Sequence, residues 1–229
     1  AVELDGVDIP SMTPQQRAQH LAFVSQSPED QLVCQTVIDE LCFGLENAGA
    51  NPEVIEPTAM SWLDKVGLSF APSHRTSAMS GGQQQRLVVG SAMAAGSRLV
   101  LLDEPLAQLD PAGAGELAKL LQALTSDGFT VVVAEHRLPM LWDVADRLVV
   151  LSEGRVCSDT SLRAAPISTL KSLGLAIPPL LEFNQLRGDQ ALTFRPAQAA
   201  KPKTEASPGE IKIPPARVVY DGASTPALE

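Results

Sequence analysis

Ser80-Gly81-Gly82-Gln83-Gln84-Gln85-Arg86 opens a helical pattern, and Leu99-Val100-Leu101-Leu102-Asp103-Glu104-Pro105 follows as an apolar run tipped by two acids. The run is continuously apolar rather than alternating, which predicts a strand buried on both faces of a parallel sheet. Thr130-Val131-Val132-Val133-Ala134 repeats the pattern, so both runs are expected at the centre of the sheet. Between them Asp110 caps and Pro111 opens a helix whose Leu117, Leu120, Leu121 and Leu124 recur at helical spacing. Working outward, strands are expected at 2–4, 21–25, 99–102, 130–135 and 147–151, with a helix announced by Thr13, Pro14 and Gln16 as a capping box. Residues 36–68 hold two helical patterns and no strand. This alternation reads as α/β, a mostly parallel sheet covered by helices with a helical insertion beside it.

The chain has 229 residues, 45% hydrophobic and 19% charged, enough for one large domain or two small ones. Its formal charge is -10, the wrong sign for gripping a phosphate backbone, so nucleic acid is not an expected partner. The acid is concentrated: Glu29, Asp30, Asp39, Glu40, Glu46, Glu53, Glu56 and Asp64 fall between 25 and 64 with no Lys or Arg among them. Cys34, Cys42 and Cys157 have neither disulfide nor zinc spacing and read as small buried hydrophobes. No apolar run reaches the roughly 18 residues a spanning helix needs. The opening at Ala1, straight onto a strand-like Val-Glu-Leu, suggests a natural protein that starts earlier.

Open α/β sheets bind ligands at the carboxyl ends of their strands, and Gln26, Asp103-Glu104 and His136 all fall there. A carboxylate at a strand tip can hold Mg²⁺, which takes oxygen ligands and keeps several waters, and the next carboxylate can orient an attacking water. Ser80 before two glycines at a helix start exposes N–H groups at the positive end of the helix dipole, an anion site. Taken singly, each has a bland counterpart: solvated turn carboxylates, an ordinary capped helix, a hydrogen-bonded histidine. Those counterparts do not account for the ordered set of Gln26, Ser80–Arg86, Leu99–Pro105, Leu109-Asp110 and Ala134-Glu135-His136 in one chain.

That set resembles the nucleotide-binding subunit of an ABC transporter, a P-loop NTPase fold. Met79–Gln83 resembles the family's signature motif, Leu99–Glu104 its Walker B strand, Gln26 its Q-loop, Leu109-Asp110 its D-loop and His136 its switch histidine. Ser25–Leu32 with Phe43-Gly44-Leu45-Glu46-Asn47 is similar to the ATPases of energy-coupling factor (ECF) importers of vitamins and metal ions. The resemblance implies ATP and Mg²⁺ as cofactors, with Asp103 and Gln26 at the metal. It implies Glu104 and His136 as catalytic residues, and Gln26, Ser80, Gly81, Gly82, Gln83 and Asp110 as nucleotide contacts, the signature residues serving the ATP of an opposite domain. Expected partners are a second ATPase domain, fused or separate, and a transmembrane coupling subunit holding the chain to the cytoplasmic face of the membrane.

The resemblance further divides the chain. Residues 1–158 form the ATPase domain with a helical subdomain at about 27–95, and 159–195 a C-terminal helical extension. Residues 196–210, rich in proline, read as a linker, and 211–229, with Tyr220, as the start of a second such domain. One departure is plain: no Gly-Lys dipeptide occurs anywhere, so the G-x-x-x-x-G-K-[ST] phosphate loop is absent from these 229 residues. The family places that loop before the Q-loop, hence upstream of Ala1, and the chain is expected to be a truncated, incomplete ATPase, inactive alone. The alternatives are a non-transport ABC ATPase of DNA repair or translation and a nucleotide-free interaction module. In the acidic insertion, Asp30, Asp39, Glu40 and Glu46 are expected to line a groove for a basic coupling helix, with Leu41 and Phe43 at its floor.

Overall fold

The computed structural model describes residues 3–4, 7–68, 72–165 and 167–179. All fall in one of the chain's two units, Ala1–Gln190; the other, Ala191–Glu229, lies outside them, as do the linker and second-domain expectations for 196–229.

The elements in chain order are β1 (Glu3–Leu4), β2 (Val7–Asp8), α1 (Pro14–His20), β3 (Leu21–Val24), α2 (Val37–Asn47), α3 (Pro52–Lys65) and α4 (Gly81–Ala94). They continue with β4 (Leu99–Asp103), α5 (Pro111–Ser126), β5 (Thr130–Ala134), β6 (Arg147–Ser152), β7 (Arg155–Ser161) and α6 (Ile167–Ser172). Strands β3, β4 and β5 form a three-stranded parallel sheet in that order. The capping residues act as the sequence predicts. Thr13 and Gln16 close a reciprocal box on α1, and Asp110 accepts the Gly113 N–H at the start of α5.

One face of the sheet is core. Val24, Val100 and Leu102 are at most 2% exposed, packed with Leu87, Leu117 and Leu124 of the covering helices. The opposite face differs from the expectation for the 130–134 run: Val132 is 50% exposed, and Phe23 of β3 is 53% exposed. Continuous apolarity predicted cover on both faces, but among the described residues the helices lie on one side. Strand β4 is central as expected, whereas β5 is an edge of this sheet. The cysteine reading also needs correction, since Cys157 is exposed on β7 and Cys34 and Cys42 are only half-buried.

Helices α2, α3 and α4 pack on one another between 37 and 94, inside the stretch of about 27–95 expected as a helical subdomain. Their contact is close because Gly44 and Gly90 carry no side chain: a Cβ on Gly44 would lie 2.6 Å from the Ser91 carbonyl oxygen, and one on Gly90 2.6 Å from Val66 Cγ1. The Ser91 hydroxyl donates to the Glu40 carbonyl at 2.8 Å, pinning α4 to α2.

A second, smaller core forms where α6 meets the antiparallel β6–β7 hairpin. Leu138, Val150, Leu162 and Leu170 are buried there, with Trp142, Leu173 and Leu175 against them. The hairpin turns through Glu153 and Gly154 at φ 50° and 74°, the left-handed pair a tight hairpin needs. Strand β7 runs across residue 158, so the stretch read as a helical extension opens on the end of that strand, and α6 lies within it. Residues 180–195 of that stretch lie outside the described residues.

Candidate functional site

The sheet register gathers three of the sequence-predicted positions. Val24 pairs with Leu102, and Asp103 with Ala134, so Gln26, Asp103-Glu104 and His136 leave the carboxyl ends of three adjacent strands. Gln26 and Asp103 are exposed. Glu104 has φ 42°, a left-handed conformation costly for a side chain of this size, and its N–H donates to the Ala134 carbonyl at 2.9 Å. This kink turns Glu104 toward β5: its Oε1 lies 3.8 Å from His136 Nδ1. Strain at a strand tip that brings an acid to an imidazole is the kind of local cost retained where chemistry needs it.

Ser80, Gly81, Gly82 and Gln83 form a second group. Ser80 caps α4 in a reciprocal box, its Oγ accepting from Gln83 N and Gln83 Oε1 accepting from Ser80 N. The glycines allow two helix starts to converge: a Cβ on Gly82 would be 3.3 Å from the Gly113 Cα of α5. Between them lies an open hollow of about 490 Å³ lined by Ser80, Gly82, Arg86, Leu109, Asp110 and Glu116 among others. Asp110 is therefore brought to the same hollow as Ser80–Gln83, its Oδ1 accepting from Gly113 N at 2.7 Å. Two helix N-termini facing one hollow favour an anion. Arg86 is buried behind it, its Nε donating to the Val66 carbonyl at 3.0 Å and its Nη1 lying 3.4 Å from Glu116. It anchors α4 to the end of α3 and to α5.

Several residues that hold these turns were given no role of their own by sequence reasoning. Gln31 organises the turn after β3, its Oε1 accepting from Ser25 N and its amide donating to the Phe23 carbonyl. Gln108 Nε2 reaches Ser27 Oγ at 3.5 Å, joining the turn after β3 to the loop after β4. Glu135, beside the histidine, has a side chain only 2% exposed. The expected acidic groove also changes. Glu40 is 4% exposed and its Oε2 accepts from Val33 N and Cys34 N, while Leu41 is fully buried in the core, so neither can meet a partner. Asp39 is spent partly on the Thr36 cap. Asp30, Asp39, Glu46 and Phe43 remain at the surface, with Val33 62% exposed nearby.

The residues present fit a metal carried with a nucleotide better than a free-standing metal centre. Asp103 and Gln26 offer oxygens at neighbouring strand tips, but no cluster of three or more His, Cys, Asp or Glu that could hold an ion occurs among the described residues. Mg²⁺ suits such a sparse set, since it commonly takes one or two protein oxygens, waters and substrate phosphates.

A parallel sheet with acids at its strand tips and a glycine-opened helix start defines an α/β protein with its polar groups gathered at the carboxyl ends of the strands. The chain belongs to the ABC transporter family, whose model, described as "ABC transporter", matches residues 1–107. It is 34% identical over 191 residues to a provisionally named ABC transporter ATP-binding protein of Methanosarcina acetivorans, covering 82% of this chain and 31% of that protein. A similarly named protein of Streptomyces coelicolor is 36% identical over 188 residues, covering 82% and 33%. One of Methanosarcina mazei is 31% identical over 250 residues, covering 100% and 42%. The chain thus spans about a third to two fifths of the length of these curated relatives.

Among solved structures, CbiO1 of Clostridium perfringens, described as part of the ABC transporter complex CbiONQ, is similar with TM-score 0.66, 24% identity and coverage of 80% and 75%. The ATP-binding cassette MJ0796, in a dimeric post-hydrolysis state with ADP and Pi, matches with TM-score 0.59, 24% identity and coverage of 71% and 73%. The fold is that of ABC ATPases.

Proposed function

We propose that this chain belongs to an ATP-hydrolysing motor that energises an ECF-type importer of vitamins or metal ions. The observation that carries the reading is the approach of Glu104 to His136 at the ends of two adjacent parallel strands, held by the left-handed turn at Glu104. Asp103 and Gln26 would hold Mg²⁺ together with the phosphates, and the metal when bound neutralises charge developing on them. Glu104 orients and polarises the attacking water, and His136 contacts the terminal phosphate. Catalysis is then mostly positioning and charge stabilisation.

Ser80, Gly81, Gly82 and Gln83 serve the nucleotide held by a second ATPase domain, and Asp110, beside them, couples the two sites. Support for a fused second domain comes from the Methanosarcina mazei relative, whose match runs through the whole chain yet fills 42% of that protein. The importer reading is supported by the chain's likeness to CbiO1, part of the ABC transporter complex CbiONQ, and by the residues around Gln26. A transmembrane coupling subunit docks on the corrected acidic surface of Asp30, Asp39, Glu46, Phe43 and Val33, keeping the motor peripheral on the cytoplasmic face. No helix among the described residues is long and apolar enough to cross a membrane. Nucleic acid is not a partner of a chain with charge -10.

The test is titration of the chain with Mg-ATP in a calorimeter, alone and with a phosphate-loop-bearing ATPase domain. Weak binding alone and tight, signature-dependent binding together support the reading. Equal affinity in both, unaffected by Ser80→Ala, argues against it.

A further inference from the structure

Glu135 takes no part in the mechanism above, yet it is the most enclosed carboxylate at the strand tips. Its side chain is 2% exposed, against 42% for Glu104. One oxygen, Oε1, accepts the backbone N–H groups of both His136 and Arg137 at 2.9 Å each. That wrap turns the chain sharply after β5 and fixes the carboxylate against the next side chain: Oε1 lies 3.3 Å from His136 Nδ1. Arg137 closes the arrangement from the far side, its Nε 3.8 Å from the same oxygen. The second oxygen of Glu135 and the Nε and Nη2 of Arg137 are shielded from solvent without a hydrogen bond, so the pair is held by charge and enclosure.

Both carboxylates therefore approach the imidazole at one nitrogen, at ion-pair distance and without a formed hydrogen bond in this conformation. Glu135 approaches Nδ1 at 3.3 Å and Glu104 at 3.8 Å. A carboxylate is an acceptor only, and favours the ring form that carries a proton on the nitrogen facing it. Glu135 is also the better placed of the two, because two backbone bonds immobilise it while Glu104 stays half-exposed.

We propose that Glu135 is a positioning residue that fixes the ring orientation and tautomer of His136, holding the proton on Nδ1 and turning Nε2 away from the sheet as the nitrogen available to a ligand. The inference rests on the proposed function only for the identity of that ligand; the tautomer belongs to the chain itself.

The test is long-range ¹H–¹⁵N correlation of the imidazole nitrogens in the complete chain at about pH 8.5, where a free imidazole is neutral. The chain has three histidines, His20, His74 and His136, and the His136 signals are identified by their loss in His136→Gln. The expected result is a protonated-type shift at Nδ1 and an unprotonated-type shift at Nε2. Glu135→Gln keeps an oxygen for the two backbone N–H groups and removes the charge, so the fold is retained while the tautomer ratio moves toward Nε2–H by about tenfold, the scale of one charge-assisted contact. Glu104→Gln moves it less. An Nε2–H tautomer in the unaltered chain overturns the proposal, as does a ratio unchanged in Glu135→Gln or one that follows Glu104→Gln instead. No nucleotide is present, so either result leaves the ATPase reading to its own test.

Discussion

Glu40→Ala is the perturbation whose size the structure defines best. The Glu40 carboxylate is buried on α2 and accepts Val33 N at 3.0 Å and Cys34 N at 2.8 Å, holding the segment between the strand-end turn and the helical layer. Each hydrogen bond to a charged acceptor contributes about 1.5–3 kcal/mol. Truncation also relieves the desolvation of a buried carboxylate, which offsets part of the sum and leaves a net loss of about 2–4 kcal/mol. In a chain of this size that lowers Tm by roughly 5–15 °C. Glu40→Gln keeps an acceptor oxygen and costs about 1 kcal/mol. Glu46→Ala, an exposed acid on the same helix, stays within about 0.5 kcal/mol of the unaltered chain. Urea melts of the three variants give the ranking, and amide exchange at Val33 and Cys34 reports the two bonds directly. If Glu40→Ala and Glu46→Ala melt alike, Glu40 is surface acid and the burial argument fails.

Other outcomes follow from the same contacts. Glu104→Gly relieves the left-handed backbone and should raise stability by about 1 kcal/mol in a thermal melt while removing the carboxylate that faces His136; a fall in Tm would mean the turn is unstrained. Charge reversal of Asp30 and Glu46 together should abolish binding of a basic amphipathic helix, measured by fluorescence anisotropy at low salt, and leave the melt unchanged. Burial, then the charges of Glu40 and Asp39, pushes the Cys34 thiol above its ordinary value, and burial with Glu46 does the same to Cys42. Less thiolate is present at any given pH, so at pH 8 iodoacetamide should modify exposed Cys157 first, with Cys34 and Cys42 following only as pH rises; mass spectrometry of the order of labelling checks this.

The parts of the fold written in local chemistry were legible in the sequence. Thr13-Pro14-Gln16, Ser80 with Gln83, and Asp110-Pro111 each carry their cap in the residues themselves, and each opens the helix expected there. Leu99–Leu102 and Thr130–Ala134 announced parallel strands through unbroken apolarity, and the strand tips followed. What apolarity does not encode is whether a covering element is close by, which is why Val132 was expected to be buried and is half open, as is Phe23 on the same sheet. The acidic insertion misled for a different reason: counting charge ignored the helical stripe. Val37, Leu41 and Leu45 share a face at helical spacing, and Glu40 and Gly44 fall on that same face, so position rather than chemistry buries the acid. Glu135 had no such periodicity to reveal it, because its enclosure comes from a backbone turn after β5 and from Arg137.

In the proposed ATPase, Glu104, set by its left-handed turn against His136, is the group that activates water. The most direct measurement compares ATP turnover and ATP affinity in the full-length protein with and without Glu104→Gln. The carboxamide is isosteric but cannot act as a base, so hydrolysis should fall by about 10²-fold or more while nucleotide affinity changes by less than a few-fold. Turnover that survives the substitution, or an affinity lost in step with the rate, would contradict the account.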